Sequence, residues 1–266
     1  DSRKFEDLIS LDIPYFDKSF LYKHIRLTSC NKCGHIYNKL LKNEQKNYLN
    51  YYHEADAFSS KITKDYVLKK RTNDFFKILK KHCNSSSEIL DLGSGDGYML
   101  NSLYNKGYKN LSGIDILVKK NKPKYYNYKS GNIDKLPYKS NLFDLVVLEQ
   151  VFEHTINPKK ALQEAFRVAK LNGKIILGIP NAAKYAKSKL FPLYMIMLRE
   201  HIQHFDIHHI NQLAEDLGVV MLESKETIYP LQTMNMPMHN IYIVLQKRKI
   251  KKKSINKFLL KSSMKK

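Results

Sequence analysis

The 266-residue chain contains no run of about 18 apolar residues, so no membrane-spanning helix is expected. Its first residues, Asp1-Ser-Arg-Lys, do not form a secretory signal, and a cytoplasmic protein is expected. Cysteine is scarce. Cys30, Cys33 and Cys83 are too few for a disulfide scaffold and suit a reducing compartment. Acid is scarce as well: 25 Asp and Glu stand against 46 Lys and Arg, for a net charge of +21. From Lys247 to Lys266 there are ten Lys or Arg and no acid, which leaves +11 for the rest of the chain. Such an excess suits nucleic acid, an anionic membrane or an anionic substrate. The lysine-rich composition favours solvated faces over a dedicated nucleic-acid surface, and a preference for anionic small substrates survives. At this length, with 43% hydrophobic residues, one α/β core with a small appendage is expected.

The chain is organised around Glu88-Ile-Leu-Asp-Leu-Gly-Ser-Gly-Asp-Gly-Tyr-Met-Leu100. A short apolar strand, Glu88 to Leu92, runs into a turn with glycines at 93, 95 and 97, and a helix begins near Tyr98. Glycines at alternate positions let a ligand approach the backbone, and the helix N-terminus offers unpaired N–H groups. No Gly-Lys-Ser/Thr follows, so this is not a P-loop, and the spacing is not that of a dinucleotide fingerprint. Asp91 and Asp96 flank the turn. Carboxylates there would repel a pyrophosphate but suit the ammonium and sulfonium of S-adenosylmethionine (SAM). Asp115, at the end of the next strand (110–115), is placed to accept hydrogen bonds from ribose hydroxyls.

Further strands are expected at 125–128, 142–148, 174–179, 219–229 and 240–245, with helices at 61–82, 99–106, 158–170 and 206–217. Strands alternating with helices imply a doubly wound parallel sheet whose ligands sit beyond the strands' carboxyl ends. Residues 1–60 read as an N-terminal cap, loosely organised over 1–29 and carrying Cys30-Asn-Lys-Cys33-Gly34. That is half of a zinc knuckle; Cys83 with His24 or His35 is one way to complete it, and retention for its turn geometry is the favoured reading. Residues 61–246 form the ligand-binding domain, with an apolar lid insertion at 182–205, and 247–266 a basic tail.

In this order the motifs resemble those of the class I SAM-dependent methyltransferases, and within them the branch of ubiquinone-biosynthesis and sugar O-methyltransferases. The resemblance covers about residues 28 to 246 and rests on Ile89-Leu-Asp-Leu-Gly-Ser-Gly-Asp-Gly, Gly113-Ile-Asp115, Gly131-Asn-Ile-Asp-Lys-Leu-Pro, Phe143-Asp-Leu-Val-Val, Ile179-Pro180-Asn181 and His201-Ile-Gln-His204-Phe205. It implies a Rossmann-like seven-stranded sheet with SAM as cofactor, held by Tyr52, Asp91, Gly93, Ser94, Gly95, Asp115, Ile116, Asn132, Ile133 and Glu149. Asn132 would meet the adenine edge. His154, which follows the fourth strand, is the expected base, with Glu153, His201 and His204 completing the catalytic set. The ubiquinone enzymes carry Glu-x-x-Glu-His after that strand, proposed as a metal site; here Gln150 replaces the first Glu, and no metal is expected. The implied function is O-methylation of a small anionic precursor such as a phosphorylated or nucleotide-linked sugar for a surface polysaccharide. The alternatives are an RNA methyltransferase, which the absence of an Asn/Asp-Pro-Pro-Tyr motif disfavours, and a non-catalytic SAM-binding subunit. No oligomeric state is assigned.

Overall fold

A computed structural model of the protein describes residues 5–12, 24–31, 33–54, 64–116, 124–185, 201–231 and 236–248. The chain opens with three strands, β1 (Phe5–Asp12), β2 (His24–Cys30) and β3 (Ile36–Asn38), and two helices, α1 (Lys42–Glu54) and α2 (Lys64–Leu79). Strand and helix then alternate through β4 (Ile89–Leu92), α3 (Tyr98–Asn105), β5 (Leu111–Asp115), β6 (Asn127–Ser130) and β7 (Phe143–Glu149). A 3-10 turn at Phe152–His154 leads to α4 (Pro158–Val168), β8 (Ala169–Pro180) and the short α5 (Ala182–Tyr185). Last come β9 (Gln203–His204), α6 (Ile207–Asp216) and a closing hairpin, β10 (Val220–Leu231) and β11 (Met236–Gln246).

These strands make two sheets. The larger has the order β10-β11-β8-β7-β4-β5-β6, with β11 and β10 antiparallel at one edge and the other five parallel. Both faces are covered, so the central strands carry apolar runs such as Leu145 to Leu148 of β7 and Ile175 to Leu177 of β8. Leu90, Val146, Leu148, Ile175 and Leu177 pack with Leu162 and Phe166 of α4 and Ile210 of α6. The alternate residues Ile89, Leu145, Val147 and Ile176 pack with Phe75 and Leu79 of α2 and Leu100 and Leu103 of α3. Asn157 caps α4 by accepting from the Lys160 N–H, and Asp206 caps α6 from the His209 N–H. No described helix is long and apolar enough to cross a membrane.

The smaller sheet, β1-β2-β3-β9, corrects the expectation of a loose N-terminus: residues 5–12 and 24–30 are paired antiparallel strands. A register shift between Asp7 and Ile9 breaks the alternation that would have betrayed β1 in the sequence. Its fourth strand comes from the insertion after β8, where Gln203 and His204 pair with Tyr37 and Ile36. The cap and the end of the insertion are therefore one sheet, and residues 186–200 of the expected lid lie outside the described residues.

Three boundaries move. The fifth parallel strand starts at Ala169, not Lys174, and the helix before it ends at Val168. Asn172-Gly173, expected as the helix stop, interrupts the ladder inside β8. Asn172 is left-handed at φ 65°, and a Cβ on Gly173 would sit 2.7 Å from the Lys170 carbonyl oxygen. The third parallel strand lies at 127–130 rather than 125–128. Lys247, expected to open the tail, belongs to the fold. Its backbone exchanges hydrogen bonds with Asn172 and Gly173, and its Nζ donates to Asn141 Oδ1 at 2.7 Å and to the Ala169 carbonyl at 2.8 Å.

Candidate active site

The turn after β4 is held from beneath by β5. The Gly93 and Ser94 N–H groups donate to the Ile114 carbonyl at 2.8 and 3.0 Å, and the Gly95 N–H to Asp115 Oδ2 at 2.8 Å. Gly95 has φ 48°, and a Cβ built on it would meet nothing within 4 Å, so the turn faces open space. Asp115 therefore shapes the turn as well as lying at the strand end expected of it.

Beside the turn is a cavity of about 130 Å³ whose lining includes Arg71, Asp91, Ser94, Asp96 and Glu149. Arg71, half-buried on α2, donates to Glu149 Oε1 from Nε at 3.2 Å and from an η nitrogen at 2.9 Å, and the Tyr242 hydroxyl donates to the same oxygen at 3.2 Å. The carboxylate fits there because residue 178 is glycine; a Cβ at Gly178 would overlap Glu149 Oε2. Glu149 Oε2 and Ser94 Oγ are buried with no hydrogen-bond partner among the described residues. Burial raises the Asp91 carboxyl well above the carboxylate range, and the nearby charges of Glu149 and Asp115 add to it. Burial also raises Glu149, in spite of Arg71. Arg71 and Tyr242 were not expected at this site. Arg71 lies in Lys69-Lys70-Arg71, which reads as a solvated basic run, and Tyr242 sits in the alternating pattern of an ordinary strand.

The expected catalytic residues meet at the junction of cap and main sheet. His154 Nδ1 lies 3.2 Å from the hydroxyl of Tyr48, a fully buried residue of α1. The His201 ring stands edge-on to the His154 ring, centroids 4.8 Å apart, and Glu153 Oε1 is 3.9 Å from His154 Nε2. Glu153 is 2% exposed, and neither carboxyl oxygen has a hydrogen-bond partner among the described residues. Burial pushes it up to about 8, with Glu149 adding to the rise, so it is protonated near neutrality. Burial lowers His201 well below the ordinary histidine value. Ligand-type atoms of Glu153, His154 and His201 lie within 4.8 Å of one another.

Other expectations fare differently. His204 belongs to β9. It lies buried in the β3–β9 ladder, where burial lowers it to about 3 and the charge of His35 acts in the same sense. The Asn132 side-chain oxygen already accepts from the Asp134 N–H at 2.9 Å, closing a local turn, and Ile133 packs against the apolar core. Gln150, left-handed at φ 56°, donates from its backbone and side-chain nitrogens to the Gly178 carbonyl. Ile116 is half-buried beyond β5, and the Tyr52 side chain lies outside the described residues. Cys30 and Cys33 form a tight turn, with the Cys33 and Gly34 N–H groups donating to the Cys30 carbonyl.

A sequence profile of the methyltransferase domain matches residues 61–224. The chain belongs to the methyltransferase domain family. An uncharacterized protein of Methanocaldococcus jannaschii is 36% identical over 121 residues, which cover 43% of this chain and 50% of that protein. A ubiquinone biosynthesis O-methyltransferase of Rickettsia akari is 30% identical over 185 residues, 63% of this chain and 70% of that enzyme. The chain thus spans from about half to seven-tenths of these relatives. Among solved structures, a SAM-dependent methyltransferase of Methanosarcina mazei superposes with a TM-score of 0.53 at 18% identity, over 64% of this chain and 97% of that one. The fold of this methyltransferase chain is that of the class I enzymes, and SAM is their cofactor. The cavity at the glycine turn fits that group: three carboxyls and one guanidinium match a ligand bearing an ammonium, a sulfonium and a carboxylate, and the buried Ser94 and Glu149 oxygens await a donor.

Proposed function

We propose that the chain methylates a hydroxyl of a small anionic acceptor, a phosphorylated or nucleotide-linked sugar or a similar surface-polysaccharide precursor, with SAM as donor. The observation that carries this reading is the adjacency of two sites: the acid- and guanidinium-lined cavity at 91–97, and the cluster of Tyr48, His154 and His201 at the cap junction, coupled electrostatically through Glu149, Arg71 and Glu153. SAM, when bound, supplies an activated methyl group. Asp91, Asp96 and Glu149 would set negative charge against its cationic groups, Arg71 would attract its carboxylate, and Asp115 would hold its ribose. A cation brought beside Asp91 favours the ionised carboxyl and reverses the effect of burial. His154 takes the acceptor's hydroxyl proton, and His201 orients the acceptor. The net charge of +11 outside the tail favours an anionic acceptor.

Mass-spectrometric screening of phosphorylated and nucleotide-activated sugars with SAM is the direct test. With an acceptor found, His154→Ala should lower kcat by about 10²–10⁴-fold and leave calorimetric SAM affinity nearly unchanged. Asp115→Ala should weaken that affinity at least about tenfold, the loss of one charge-assisted hydrogen-bonding group. Normal kcat in His154→Ala removes the base, and methylation of tRNA or rRNA but of no small acceptor overturns the substrate class.

A further inference from the structure

His154 is gripped from outside the segment that matches the methyltransferase domain. In the cap, Arg26 of β2 pairs with Glu44 in the first turn of α1 at 2.9 Å, and the same carboxylate accepts the Leu41 N–H at 2.7 Å. Tyr48 lies one helical turn beyond Glu44, on the same face of α1, with its ring buried and its hydroxyl 3.2 Å from His154 Nδ1. From the other side, the Gln203 side chain bonds His35 Nε2 at 2.8 Å and donates to the Thr155 carbonyl at 2.9 Å, just past the 3-10 turn that carries His154. The cap thus fixes both the backbone and one ring nitrogen of a histidine that the main sheet supplies.

We propose that Tyr48 is a positioning residue for His154: its phenolic oxygen accepts the Nδ1–H, which leaves Nε2 as the nitrogen that takes the acceptor's proton. This rests on the reading of His154 as the base. A neutral imidazole has one donor and one acceptor nitrogen, and the partner of the first decides which is basic. The groups facing the ring include Tyr48 from α1, Glu153 from its own turn and His201 from the segment before β9; Arg71 and Glu149 act on Glu153 from α2 and β7. Once Nε2 is protonated, the Tyr48 oxygen still accepts from Nδ1 and stabilises the imidazolium. Residues 42–54 of α1 lie outside the matched segment, 61–224, so the cap completes the base rather than merely covering it.

The test needs no acceptor. Nitrogen NMR on the full chain with S-adenosylhomocysteine present reads the His154 tautomer in wild type and in Tyr48→Phe, with His154→Gln identifying the signal. Phenylalanine keeps the buried ring and removes only the hydroxyl. Wild type should carry the neutral proton on Nδ1; Tyr48→Phe should move it to Nε2 and shift the His154 titration to lower pH. With an acceptor in hand, the same variant should lose about tenfold in kcat with the KM for SAM unchanged, and the acid limb of its rate profile should move the same way. A purely structural tyrosine would move neither tautomer nor pH profile. An Nε2–H tautomer in wild type, or one unchanged by the substitution, overturns the proposal. A tautomer that changes while His154→Ala turns over normally overturns the base reading instead, and with it any part for Tyr48 in the reaction.

Discussion

In the seven-stranded sheet, Val146, Leu148, Ile175 and Leu177 face one helical layer and Leu145, Val147 and Ile176 the other, all fully buried, whereas the cap sheet buries Thr28, Asn38, Gln203 and His204 alongside Leu27 and Cys30. Apolar burial stabilises at about 25 cal/mol per Å² whatever the pH. A buried histidine or amide stabilises only while it is neutral and hydrogen-bonded. Burial lowers His35 to about 4 and His204 to about 3, so acid bears on the cap through its histidines, whereas the buried titratable groups of the main sheet, Asp91 and Glu149, are carboxyls that burial raises. One sheet is a scaffold; the other is conditional on its surroundings.

The largest test of that contrast is Phe205→Ala. Phe205 lies between the two regions, its ring stacked at 4.5 Å on His35 of the cap and at 4.9 Å on Phe152 beside the main sheet. Truncation should cost about 3–5 kcal/mol in denaturant unfolding. If the sheets differ as argued, hydrogen exchange will show cap amides losing protection while those of β7 keep theirs. Equal losses would break the comparison.

Acid is the next lever. Unfolded histidines protonate near 6.5, while His35 and His204 in the fold do so only near 4 and 3. Below 6.5 the unfolded chain binds more protons, so stability falls as pH drops from 6.5 towards 4, by at most about 1.4 kcal/mol per pH unit for each histidine. Glu153 works in the opposite sense. Its folded value near 8 lies above the ordinary 4.5, so the folded chain holds the extra proton and stability falls as pH rises from 4.5 to 8. Melting temperatures across pH should show both slopes, and Glu153→Gln should flatten the alkaline one. An unchanged alkaline slope would mean that Glu153 is ionised in the fold.

The smallest effect should come from the tail. Deleting residues 249–266, rich in lysine, should change stability by no more than about 0.5 kcal/mol. Extending the deletion through Lys247 should cost more, because that removes its hydrogen bonds to Asn141 and Ala169. Equal effects of the two deletions would return Lys247 to the tail.

Legibility in the sequence follows the same division. β7 carries the apolar run Leu145 to Leu148, β4 and β5 each end beside a glycine turn or a strand-end acid, and α4 and α6 begin at Asn157-Pro158 and Asp206, so local chemistry announces them. The turn at 91–97 and Asp115 are legible because glycine and a strand-end acid leave a short-range signature. The cap's order was hidden by a register shift in β1 and by a strand, β9, only two residues long. At the site, Tyr48 and His154 are 106 residues apart and Arg71 and Glu149 78, contacts that no local pattern encodes. The place of His204 was hidden in the same way, since its partner in the ladder is Ile36 of the distant β3.

The short β9 also dictates an order of assembly. The bond from His35 to Gln203 joins residues 168 positions apart, so the cap sheet, begun at β1, is completed only after the parallel strands of the main sheet, β4 to β8, have been made. Until β9 has been made, β3 presents an open edge, and until the turn after β7 has been made Tyr48 has no histidine to hold. The contact proposed to set the base is thus absent from every nascent chain that stops short of residue 154, and the second grip, through Gln203, arrives some fifty residues later.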